Sequence, residues 1–150
     1  MKLSAAALRL ILNCYPPFWG AGIHVEVITK DFSFARVSMV FRWYNKNYMR
    51  TQFGGSLYSM TDPFFALMLI HRLGPDYVVW DKHGEINYIK PGKTRVYADF
   101  SISEEELQTV KQVVAENGKH LPVFHTKIYD SSKEVIATIK KTLYVKRIQG

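Results

Sequence analysis

One cysteine, Cys14, stands among the 150 residues. No disulfide can close within the chain, so its stability has to come from packing, and a reducing, cytoplasmic location is the expectation. No apolar run approaches the ~20 consecutive residues that a membrane-spanning helix requires. Cys and His are never spaced as zinc ligands, and no Gly-rich loop ending in lysine offers a triphosphate cradle. Neither a metal nor a separate cofactor is expected. Acidic residues are the scarce charge, thirteen against twenty Lys and Arg, leaving a net charge of +7. The basic residues are scattered, densest at Lys140, Lys141, Lys146 and Arg147, with no nucleic-acid-binding signature beside them. Nucleic acid is therefore not an expected partner, and a small phosphate-bearing ligand suits the scatter better.

The opening "MKLSAAALRLIL" imitates a signal peptide, and Cys14 a lipidation site. Arg9 interrupts the apolar stretch, however, and Asn13 is a poor residue before a cleavage point, so the segment is read as a helix of the folded protein.

The length fits one domain, 1–150, with enough chain to bury a core. Good helix formers run from Leu3 to Leu12, and "YPPFWGAG" then reads as a loop. From Ile23 to Tyr44 the sequence alternates and is rich in β-branched and aromatic residues, with a turn or bulge at Lys30-Asp31. "NKNYMRTQF" is polar and irregular. Strands follow at "YVVWDKHGEINYIKP" and "KTRVYADFSI". A helix over "SEEELQTVKQVVAENG" has a capping box at Ser103 and Glu106 and a stop at Gly118. "LPVFHTKIYD" and "KEVIATIKKTLYV" form a hairpin across Ser131-Ser132. One buried helix and about five long antiparallel strands define an α+β domain.

That helix lies in "TQFGGSLYSMTDPFFALML", Thr51 to Leu69, where a glycine pair opens an apolar run with a lone carboxylate. Two readings of Asp62 stand. Asp62-Pro63 suits a helix start, aspartate as N-cap and proline at the first position. Alternatively the helix begins at Gly55-Ser56, because Leu57 and Met60 fall in phase with Phe64, Leu67 and Met68. Asp62 is then two turns in, and the helix bends at Pro63. Either way the segment is apolar on nearly every face and needs an enclosing sheet.

The pattern of Asn47 six residues before Phe53-Gly54-Gly55, with Asp62 beyond, resembles the signature of the hotdog-fold acyl-CoA thioesterases of the phenylacetate-pathway type. "INYIKPGKTRVYADF" is similar to the strand pair that follows the helix in that superfamily. The set "YPPFWGAGI", "FGGSLYSMTDPF", "YVVWDK" and "KTLYV" also resembles one bacterial branch over essentially the whole chain. The resemblance implies a hotdog fold, an antiparallel sheet wrapped around a long central helix. It implies a homodimer or tetramer acting on an acyl-CoA or acyl-carrier thioester, with coenzyme A entering only as part of the substrate. Asp62 would be base or nucleophile, the amide of Gly55 would stabilise the oxyanion, and Asn47 would orient water or hold the loop. Gly54 and Phe53 would line the acyl group. Seven residues from Gly55 to Asp62 span ~10 Å of helix, too far for one carbonyl, so the site would be shared between two protomers.

Three positions depart from that pattern. Phe53 replaces its histidine, Arg50 stands where glycine is usual, and Pro63 directly follows the carboxylate. A non-catalytic acyl-CoA or lipid-binding protein is the second reading; a dehydratase of the same fold, the third, would need a His/Asp pair at a spacing that this sequence does not have. Asp81, in the strand after the helix, is either a water-positioning group or a strand aspartate paired with Lys82 or an arginine. Lys90 and Lys93 flank the Pro91-Gly92 turn, as contacts for coenzyme phosphates or as solvated charges. His83 reads as a turn residue, and His24, His71, His120 and His125 read as structural.

Overall fold

The computed structural model describes residues 3–148. Helix α1 (Ala5–Cys14) starts at Ser4, whose hydroxyl accepts from the Ala7 amide at 3.2 Å. The "YPPFWGAG" stretch, read as a loop, is a second short helix, α2 (Pro16–Ala21). Both prolines sit in its first turn, where the missing amide has no intrahelical partner to lose. Gly22 ends it at φ 74°, a left-handed conformation that favours glycine.

Strands β1 (Ile23–Ile28) and β2 (Phe34–Met39) form a hairpin, with the expected turn falling between them, and β2 gives way to a 3-10 turn at Trp43–Asn45. The glycine pair opens α3 (Gly54–Ser59), followed by α4 (Phe64–Leu73), then β3 (Tyr77–Tyr88) and β4 (Val96–Ser101). Helix α5 (Glu104–Asn117) has the expected capping box of Ser103 with Glu106. Strands β5 (Lys119–His120), β6 (Val123–Asp130) and β7 (Val135–Arg147) complete one antiparallel sheet, ordered β1-β2-β4-β6-β7-β3, with β5 also on β7.

The sheet wraps the central helical segment. Phe64, Phe65, Met68 and Leu69 of α4 are buried against Val37, Ala98, Phe100, Ile128 and Ile139 from four strands. Phe65 stacks on Phe124 at 5.0 Å and meets Phe100 edge-on at 5.1 Å, while Phe64 stacks on Phe100 at 4.8 Å. The outer face is joined across strands by Arg36, paired with Asp99 at 2.7 Å, and Tyr129, which donates to Asp99 at 2.9 Å.

The central helix is in two parts. Bonds from Thr61 N to Tyr58 O and from Asp62 N to Ser59 O tighten α3 into a turn, and Pro63 supplies no amide to continue it. The buried Thr61 hydroxyl donates to Tyr58 O at 2.8 Å. Asp62 therefore follows neither sequence reading. It lies in the turn between the helices, and Pro63, not Asp62, holds the cap position of α4.

The two sheet edges differ. At the β1 edge Asn13 bonds both the amide and the carbonyl of Val25, and Arg9 donates to Glu26 O, so the outer edge is partly covered. The twelve-residue edge of β3 pairs only with β7 among the described residues. Replacing Phe65 by alanine should cost about 3–5 kcal/mol. Urea unfolding checks this; a loss below 1 kcal/mol would mean that α4 is not enclosed as described.

Candidate functional site

The residues singled out by sequence fall into two groups. The first surrounds the start of α3. Asn47 accepts from the Thr51 amide at 3.0 Å and donates to the Thr51 hydroxyl at 2.9 Å and to Gln52 O at 3.3 Å. It thus ties the loop back on itself directly before the glycines. The buried Gln52 fixes that loop to the sheet, donating through Nε2 to Val40 O and Thr94 O. Arg50 adopts φ 57°, a left-handed conformation that glycine takes at less steric cost.

No side chain caps α3, and its first intrahelical bond runs from Leu57 N to Phe53 O. The preceding amides are thus without intrahelical acceptors, as at any helix start. Gly54 lets the Tyr88 ring approach; the Tyr88 hydroxyl donates to Gly54 O at 3.0 Å. The Phe53 ring lies 2.7 Å from where a Gly55 side chain would begin. A cleft of about 420 Å³ opens here, lined by Asn47, Gln52, Gly54, Leu57, Tyr88 and Lys90 among others. Lys90 pairs with Glu134 on the opposite hairpin, whereas Lys93 is exposed and does not line the cleft.

The second group is one that sequence reasoning did not assemble. Asp62 and Asp81 both bond the ammonium of Lys141, Oδ1 of each lying 2.9 Å and 3.1 Å from Nζ. The sequence offers Lys82 or an arginine as the partner of Asp81; its cation is Lys141. The reason is a bulge. Asp81 opposes Leu143 and His83 opposes Thr142, leaving Lys82 unmatched. That extra residue puts Asp81 on the same face as Gly84, which opposes Lys141. The missing side chain at Gly84 makes room for the Tyr58 hydroxyl, which sits 1.8 Å from where a side chain would start. Tyr58 also lies under the ammonium, 5.6 Å from ring centroid to Nζ.

Lys141 is 1% exposed, while the Asp62 side chain is 52% and the Asp81 side chain 35% exposed. Burial alone would push the Lys141 ammonium down, but the two carboxylates more than offset it and hold it above its ordinary value. Burial pushes Asp81 up from the usual aspartate value; Lys141 opposes that rise and the Asp62 charge adds to it. A signal for Lys141 did exist in the sequence. It falls in phase with Ile139, Leu143 and Val145, the inward face of β7, instead of the solvent face that a lysine prefers. Among the described residues no three His, Cys, Asp or Glu side chains gather to hold a metal ion, and no helix is long and apolar enough to cross a membrane.

An antiparallel sheet closed around a central helical segment, with this order of elements, defines the hotdog fold. The chain belongs to the family described as Domain of unknown function (DUF4442), which it matches over residues 4–145. Among curated proteins none matches it in sequence. Its structure is similar to that of a Pseudomonas aeruginosa protein described as of unknown function and a probable thioesterase (TM-score 0.86, 15% identity, 98% of each chain covered). It is also similar to a Haemophilus influenzae thioesterase (TM-score 0.70, 12% identity, covering 100% of this chain and 95% of that one). The E. coli PaaI protein of the phenylacetic acid degradation operon is similar too (TM-score 0.65, 18% identity, covering 95% and 91%). At these identities the likeness is one of fold.

Two stability measurements check the site's description. Asp62→Asn with Asp81→Asn leaves the Lys141 charge buried and uncompensated, and should cost about 3–5 kcal/mol in urea unfolding. Arg50→Gly relieves a left-handed arginine and should raise the melting temperature by about 2–4 °C. A neutral double substitution would show that Lys141 is not a buried cation held by these acids.

Proposed function

We propose that this protein hydrolyses acyl thioesters at a site shared between two protomers, with acyl-CoA or an acyl-carrier thioester as substrate. The observation that carries the reading is the orientation of Asp62. Its carboxylate is turned out of the helical segment, half-exposed, and caps no backbone of its own. Asp62 lines no part of the cleft at the start of α3 in the same chain; Gly54 does, and Gly55 and Phe53 adjoin it in sequence without lining it. The open edge of β3, against the covered edge of β1, supports pairing with a second copy about a two-fold axis. The substrate carbonyl lies in the cleft of one protomer, its oxygen on the amide of Gly55. Asp62 of the other protomer takes a proton from water as the water adds to that carbonyl, and the tetrahedral intermediate expels the thiolate, which recovers the proton. Asn47 holds the loop, Gly54 and Phe53 border the acyl group, and Asp81 orients the water. Lys90 and Lys93 face the coenzyme phosphates, with Lys93 the freer charge. The Haemophilus influenzae neighbour described as a thioesterase supports this chemistry by analogy of fold.

One observation favours a second reading, an acyl-CoA or lipid carrier without turnover. The apolar Phe53 ring packs against Gly55, at the position where the resembling enzymes have a histidine.

A panel of acyl-CoA esters followed with a thiol dye separates the two. Turnover that falls by about 10²-fold or more in Asp62→Ala supports the hydrolase. Tight binding with no release of thiol supports the carrier. For the shared site, Asp62→Ala and Gly55→Pro protomers should each be inactive alone and regain activity when mixed. Failure to regain any activity in verified mixed dimers contradicts a site built from two chains.

A further inference from the structure

Lys141 is a cation placed in an apolar layer between Ile139 and Leu143. Burying an ammonium is unfavourable unless it is paired, and a hydrophobic residue of similar volume is often at least as stable at such a position. Fold alone therefore gives no reason for a lysine here. What the lysine does is specific. It reaches from β7 to the turn between α3 and α4 on one side and to the bulge in β3 on the other, bonding one oxygen of each acid.

We propose that Lys141 is a positioning residue that joins Asp62 and Asp81 into one ionisable unit. It fixes the direction of the Asp62 carboxylate and sets the pH above which the pair is competent. Its part in turnover rests on the proposed function; the coupling of the two acids does not.

Three features support the inference. The Asp62 carboxylate has no other hydrogen bond to a described residue, so Lys141 is what restrains a side chain at a turn that lacks a cap. Only one oxygen of Asp62 is engaged, which leaves the second free toward solvent. The ammonium itself is held in place from below by the Tyr58 ring, and the Tyr58 hydroxyl is seated in the gap left by Gly84. The groups that face the unit are thus Asp62 from the turn, Asp81 from β3, Tyr58 from α3 and Lys141 from β7. The Asp81 carboxyl meets both charges, the Lys141 ammonium opposing the rise that burial imposes and the Asp62 charge adding to it.

The test follows the Asp81 carboxyl by 13C NMR titration in the wild type, Lys141→Met, Lys141→Arg and Asp62→Asn, beside the acid limb of the pH–rate profile on acyl-CoA. Loss of the cation in Lys141→Met should raise the Asp81 midpoint by about one pH unit or more, and Lys141→Arg should return most of that rise. Asp62→Asn removes the neighbouring negative charge and should lower the midpoint. The acid limb should move upward with it in Lys141→Met. If Lys141→Met does not fold, the Asp62→Asn titration decides the coupling. An Asp81 midpoint unmoved in the folded variants overturns the proposal whether or not the protein turns over substrate. A midpoint that moves while the acid limb stays fixed overturns the role in turnover. Coupled midpoints in a wild type without thioesterase activity support the unit and refute the proposed function alone.

Discussion

An α-helix that is apolar on nearly every side is stable only when something closes around it. Here that something is the sheet, and the closure organises the rest of the molecule. Phe64, Phe65, Met68 and Leu69 demand cover on opposite faces, so strands from both ends of the chain must curve over α4. The same constraint makes β7 pass close to the turn preceding α4. A residue on its inward face then has only two options, to be apolar or to find partners at that turn.

Lys141 takes the second option, and that choice links the fold to the chemistry. The bulge at Lys82 rotates Asp81 inward, the break at 60–63 turns Asp62 outward, and the two acids converge on one ammonium. The break also packs Met60 and Thr61 into the interior, so packing and the placing of the acids are met by the same turn. Regular hydrogen bonding through Asp62 and Lys82 would have given a continuous helix and an unbroken ladder. Departures of this kind concentrate where a protein holds reacting groups. The cleft at the start of α3 is built by different means, from the closed loop of Asn47 and the close approach of Tyr88 and Phe53 to the two glycines.

Much of this was legible in the sequence. The capping box of Ser103, the strand alternation and the apolar run from Leu57 to Leu69 specified the elements through local rules, and the spacing of Asn47, Gly54, Gly55 and Asp62 carried the resemblance to the fold. What escaped was set by non-local geometry. "YPPFWGAG" looked like a loop because two prolines are judged as breakers, yet in a first turn they break nothing. For Asp62, the cap reading overlooks the helical turn at Gly54–Ser59 before it, and the mid-helix reading assumes one continuous ladder, which Pro63 and the tight turn at Thr61 interrupt. By composition Lys141 is one of many scattered basic residues. Its phase with Ile139 and Leu143 pointed inward, but no local pattern says which acids, sixty to eighty positions earlier in the chain, would meet it.

The central claim is that two chains complete one thioester site. It is tested most directly by a crystal structure with an acyl-CoA ketone analogue, in which a methylene replaces the thioester sulfur. The account predicts the ketone oxygen within hydrogen-bond distance of the Gly55 amide of one protomer, with the Asp62 carboxylate of its partner beside the ketone carbon. An analogue bound in the cleft with every Asp62 carboxylate remote from its carbonyl would contradict it.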